Sequence, residues 1–247
     1  MASPDQYYNF TRIREGGLSR NPDDHAASDP APCSYNGKTG WHTNKGITWS
    51  TFKFYAPVLG YSPSCDLFFN MPNQLWQDIF SQIWKGAGAY DIKNPALANL
   101  VFQWRWGSGP ASAVSHLSSE LKAYSGVSPG NFAAIAQTIN SLSDTPEKAR
   151  KLFDFLWNER LKFYYALNQP TFIKGWVDGW NKFRDFNEKY LNGSPVPGSA
   201  QSPQDIEQVS FWRRNRKKIL IGTGVAAAAT TLLIFGIRRK RKRRRRK

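Results

Sequence analysis

Arg14-Glu15-Gly16-Gly17, followed by Asn21-Pro22-Asp23-Asp24 and then by Thr43-Asn44-Lys45-Gly46-Ile47-Thr48, decides how the N-terminal part of this chain is read. Upstream, Ser3-Pro4-Asp5 is a helix start, with a capping side chain, proline in the first turn and an acid near the positive end of the dipole. Tyr7, Tyr8, Phe10 and Ile13 supply its apolar positions. Gly16-Gly17 stops the helix and leaves Glu15 at its end. Residues 18–46, rich in Asn, Asp, Pro, Ser and Gly, read as a long loop with a short hairpin. Long loops within domains are functional or disordered, and a position between two motifs favours function. A carboxylic acid thus stands at a helix end, a polar loop follows it, and a threonine-bearing turn re-enters the fold.

Further along, 48–55, 74–85, 95–106 and 111–124 read as helices with aromatic-rich faces. Ser128-Pro129 reads as the start of a helix through Ile139. Asp144-Thr145-Pro146-Glu147 opens a longer one carrying Leu152, Phe153, Phe155, Leu156, Trp157, Leu161 and Tyr164. The expected units are 1–125, a helical unit 126–192, a Pro/Gly/Ser-rich linker over 193–212 and a C-terminal segment 213–247. The formal charge of +16 belongs to that last segment, since residues 1–212 hold 19 basic and 18 acidic residues. Between Arg213–Lys218 and the wholly basic 238–247, residues 219–237 carry no charge. At helical rise they extend roughly 28 Å, enough for a bilayer's hydrocarbon core. One single-pass transmembrane helix is therefore expected at 219–237, with the basic tail suited to anionic lipid or nucleic acid.

The first motifs resemble those of glycoside hydrolase family 108, the peptidoglycan-cleaving N-acetylmuramidases, with their Glu-Gly-Gly, Asn/Asp-Pro-x-Asp loop and Thr-Asn-x-Gly-Ile-Thr turn. Arg160-Leu-Lys-Phe-Tyr-Tyr165 and Pro170-Thr-Phe-Ile-Lys-Gly175-Trp176 resemble the predicted peptidoglycan domain that commonly follows. The resemblance implies a mainly α, lysozyme-like catalytic domain with a small loop or β element, then a helical domain that grips peptidoglycan. Glycoside hydrolysis needs an acid that stays protonated near neutral pH and a group that positions water or steadies charge at the anomeric carbon. Glu15 suits the first role, because the negative end of a helix dipole and partial burial both disfavour its ionised form. Asp24 best fits the family's loop aspartate and Asp29 is its rival. Thr43, by resemblance, holds a nucleophilic water or shapes the turn. Asn44, Gly46, Trp41, Gln103 and Trp176 are candidates for substrate contact.

The chain departs from the family at Ala89-Tyr90, where a Tyr-Trp pair is usual, and at Gln103-Trp-Arg-Trp-Gly107-Ser-Gly109, where Asp-x-x-x-Asn-x-Gly is usual. It also carries an insertion, His25 through His42. Trp41, Trp49, Trp104 and Trp106 can stack on sugars or fill the core. Cys33 and Cys65 can pair outside the cytoplasm or remain two thiols. His25, His42 and His116 lack metal-site spacing, and the reaction calls for no cofactor. Rival classes are a non-catalytic wall-binding protein on a decayed scaffold and a structural phage or membrane protein working through its basic tail. Positive-inside bias favours a cytoplasmic C-terminus and an exported N-terminal part, yet Met1-Ala-Ser-Pro-Asp-Gln carries no signal-peptide pattern. Delivery by a phage particle, or release at lysis, removes the need for export.

Overall fold

The helix that organises the fold is α5, Pro95–Ser108, whose residues Ala96 to Trp104 are all buried. An apolar helix without a polar face must sit at the centre of a core. Asn94 caps it by accepting from the Ala96 and Leu97 amides, Pro95 fits the first turn, and Gly109, at φ 73°, ends it. The computed structural model describes residues 3–191 of the chain. Around α5 run α1 (Asp5–Arg14), α2 (Trp49–Val58), α3 (Cys65–Phe69), α4 (Asn73–Gly86), α6 (Pro110–Ser125), α7 (Phe132–Leu142), α8 (Pro146–Ala166) and α9 (Pro170–Asn187).

The expected helices are present within a few residues of their predicted bounds, while α9 was not among them and α1 is capped by Pro4 without a side-chain hydrogen bond. The helix expected from Ser128-Pro129 begins at Phe132, because Asn131 is the cap and accepts from the Ala134 amide. Pro129 stays outside it, its carbonyl taken by the Ser118 hydroxyl. The short α3, capped by Ser64, had no sequence signal of its own. On α1, Tyr7 is buried, but Ile13, expected among the apolar positions, is 82% exposed.

The small β element is a three-stranded antiparallel sheet, β1 (Leu18–Ser19), β2 (Thr43–Asn44) and β3 (Ile47–Thr48), in that order. Leu18 pairs with Asn44, and Thr43 with Thr48. Lys45 and Gly46 form the two-residue turn, both at positive φ (51° and 79°), the pattern of a type I′ hairpin. Residues 25–42 form a short 3₁₀ turn (His25–Ser28) and a second tight turn at Asn36-Gly37 closed by a Tyr35–Lys38 bridge.

Met1–Ser194 forms one compact unit. The stretches 1–125 and 126–192 share one core: Tyr7 packs edge-on to Phe183 and Phe102, and Asn99 donates to Asn187 at 2.7 Å. Among the described residues no helix is long and apolar enough to cross a membrane. The expected span at 219–237, its linker and the basic tail lie outside the described residues.

Candidate active site around Glu15

Glu15 is the C-terminal cap of α1, its amide donating to the Thr11 carbonyl at 2.9 Å. Immediately after it the chain enters β1, and the Lys45 amide donates to the Gly17 carbonyl at 3.1 Å. This lays the β2–β3 turn against the acid. A Cβ on Gly46 would lie 2.5 Å from Glu15 Oε2, so the carboxyl and this turn touch where only glycine fits. Gly16 and Gly17, by contrast, have open space around them and no positive φ.

On the carboxyl's other oxygen, the Trp106 indole N–H donates to Oε1 at 3.0 Å. Trp106 sits half-buried on the last turn of α5, held against Phe80, Phe102 and Trp76. Burial pushes the Glu15 carboxyl above the usual carboxylate range, against the opposing pull of the Trp106 donor and the Arg14 charge. The result is a carboxyl biased toward its protonated form and presented by aromatic and glycine surfaces. Lys45 swings away from it, donating to the Met71 carbonyl at 2.7 Å, while its own carbonyl accepts from the Trp76 indole at 2.9 Å. Burial, helped by the Arg12 charge, draws the Lys45 ammonium below its ordinary range.

Thr43 lies in the same hairpin, half-buried, with its hydroxyl 2.9 Å from His42 Nδ1. His42 is fully buried, and its Nε2 lies 3.1 Å from the Asn21 carbonyl. That carbonyl also accepts the Asp24 amide at 3.1 Å. Asp24 itself caps the 3₁₀ turn, accepting from the Ala26 amide at 3.0 Å. Asp29 is directed elsewhere, to an exposed ion pair with Lys53 of α2 at 3.3 Å.

The other expected contact residues fall away from this cluster. The Asn44 amide is buried and spent on the Phe68 and Phe69 carbonyls at 2.6 and 3.2 Å, which fastens β2 to α3. Gln103 is buried and accepts from the Tyr7 hydroxyl at 2.7 Å, so the side chain standing where the family has Asp is a core partner of α1. Trp41 folds the insertion on itself, its N–H donating to the Lys38 and Tyr35 carbonyls. Trp176 is half-buried on α9, stacked on Phe172 and Tyr164. Trp49 and Trp104 are core. Cys33 and Cys65 form a disulfide that fastens the insertion to the start of α3. Trp106 and His42, each bonded to a candidate catalytic group, carried no signal in the sequence that marked them for it.

No protein-family model matches the chain, and no curated protein matches it in sequence. The fold is similar to that of Brucella abortus SagA. That solved structure is 20% identical, with a TM-score of 0.56, over 78% of this chain and 97% of the other. At such identity the likeness to SagA speaks for the fold alone. The resemblance to family 108 rests on the quoted motifs.

Proposed function

We propose that the chain is a peptidoglycan hydrolase of the N-acetylmuramidase type, cleaving between N-acetylmuramic acid and N-acetylglucosamine. The observation that carries this reading is the Glu15 carboxyl, half-buried between the Trp106 N–H and Gly46 and shifted toward its protonated form. Glu15 gives its proton to the glycosidic oxygen, and the bond from that oxygen to the anomeric carbon breaks with the electron pair leaving on oxygen. A water that donates a hydrogen bond to Thr43 adds to the anomeric carbon. Its proton passes to a loop carboxylate, and Asp24 is the better nominee because its turn is hydrogen-bonded through Asn21 and His42 to Thr43. Asp29 is engaged with Lys53.

The same proposal gives the helical stretch 126–192, with Trp176, a role in gripping the wall. It makes 219–237 a membrane tether and 238–247 its anionic-lipid contact, with nucleic acid as the rival ligand of that tail. The Cys33–Cys65 disulfide supports placing the folded part in an oxidising compartment. The test is clearing of purified bacterial sacculi by the detergent-solubilised full chain beside Glu15→Gln. The wild type is expected to clear them. The variant is expected to pellet with the wall without clearing it, and equal clearing by both would refute Glu15 as the acid.

A further inference from the structure

We propose that His42 is a positioning residue that fixes the Thr43 hydroxyl as an acceptor and ties it to the Asp24 turn, an assignment that rests on the muramidase reading of this site. The Asn21 carbonyl can only accept, so the His42 Nε2 that lies 3.1 Å from it carries the hydrogen. With the ring neutral, Nδ1 is then an acceptor and the hydroxyl 2.9 Å away donates to it. The single Thr43 proton is thereby committed to the protein interior. What Thr43 offers toward substrate is lone pairs alone. A water bound there donates to Thr43 and keeps its own lone pair free for the anomeric carbon, whereas a free hydroxyl could instead donate to that lone pair and blunt it.

The backbone that carries the ring is fixed, because His42 continues the central strand β2. Its amide donates to the Ser19 carbonyl at 3.1 Å, and its carbonyl accepts the Trp49 amide at 2.7 Å. The ring is fully buried, so neither nitrogen exchanges its partner for bulk water. The Asn21 carbonyl gripped by Nε2 also receives the Asp24 amide. The Asp24–Asn21 hydrogen bond lies within the loop and does not depend on the ring, so Nε2 braces the loop while Nδ1 sets the direction of the Thr43 hydroxyl.

The two ends of the ring can be separated. In His42→Asn the amide oxygen stands near the position of Nδ1, keeping the acceptor for Thr43 and losing the Asn21 contact. In His42→Gln the amide nitrogen reaches the position of Nε2, keeping Asn21 and losing the acceptor. With the full chain acting on solubilised glycan strands, kcat, KM and Tm are measured for each. His42→Gln is expected to lose about tenfold or more in kcat with little change in KM, as misdirected reacting groups do. His42→Asn is expected to keep kcat within about threefold of wild type, even where its Tm falls further, since one hydrogen bond typically matters by that order. Equal kcat losses in both variants, tracking Tm, would show a merely structural histidine and overturn the assignment. An inactive wild type overturns the muramidase reading and this role together. Independently of activity and of how the His42 variants fold, the His42 ring ¹⁵N shifts are compared between wild type and Thr43→Val. A shift of Nδ1 is expected, and unchanged nitrogens would overturn the hydrogen bond itself.

Discussion

Replacing Gly46 by alanine attacks the site at the point where the two halves of the motif meet. The new Cβ falls 2.5 Å from Glu15 Oε2 and 2.7 Å from its carboxyl carbon, and the backbone sits at φ 79°, which an L side chain adopts only with strain. The left-handed conformation costs about 1–2 kcal/mol for a residue with a Cβ. The clash must be relieved by moving the Glu15 side chain, which gives up the Trp106 hydrogen bond at about 1 kcal/mol. The total is about 2–3 kcal/mol, and for a unit of this size each kcal/mol lowers Tm by about 2–4 °C. A fall of about 4–12 °C is therefore expected by calorimetry. Because the acid is displaced, hydrolysis should fall by about 100-fold, beyond what unfolding explains at the assay temperature. Gly16→Ala and Gly17→Ala are the controls, having open space and no positive φ. Both should stay near wild type in Tm, and a Gly46→Ala chain as stable and active as they are would refute the reasoning.

Glu15→Gln should separate stability from function. Because the folded carboxyl is shifted above its unfolded value, its stabilising contribution is complete below the ordinary carboxylate range and is lost as pH rises through the folded value. The amide should therefore raise Tm at neutral pH and lose that advantage in acid; an unchanged difference across pH would count against a strained carboxyl. Reducing the Cys33–Cys65 bridge, which spans a sequence separation of 32, should cost about 3–4 kcal/mol by loop closure, read as a Tm drop on adding dithiothreitol. Gln103→Leu leaves the buried Tyr7 hydroxyl without its acceptor and should cost about 1–3 kcal/mol while leaving KM unchanged. A raised KM would return position 103 to the substrate.

Much of the helical framework was legible because its ends are written locally. Thr145-Pro146 opens its helix as read, and the helix read over 95–106 begins at Pro95 behind an Asn94 cap. Ser128-Pro129 has the same look but yields to Asn131, itself a strong capping residue three positions on, whose side chain accepts the Ala134 amide. The residues that flank Glu15 could be quoted from the sequence, but their reasons could not. Gly16-Gly17 are legible as the helix stop, but the steric demand falls on Gly46, and only a folded hairpin brings that glycine to the acid. Trp106 is 91 residues from Glu15, and Gln103 is 96 from Tyr7, so these pairings are written in the packing of α1 against α5. Asn44 sits in a motif position yet spends its amide on α3, a short helix whose single turn has no periodicity to read.

The most direct measurement is the chemistry of the new chain ends when the full chain digests purified peptidoglycan, identified by borohydride reduction and mass spectrometry. The account predicts muramic-acid reducing ends from the wild type and none from Glu15→Gln. Glucosamine reducing ends, or no new ends from a folded wild-type chain, would contradict it.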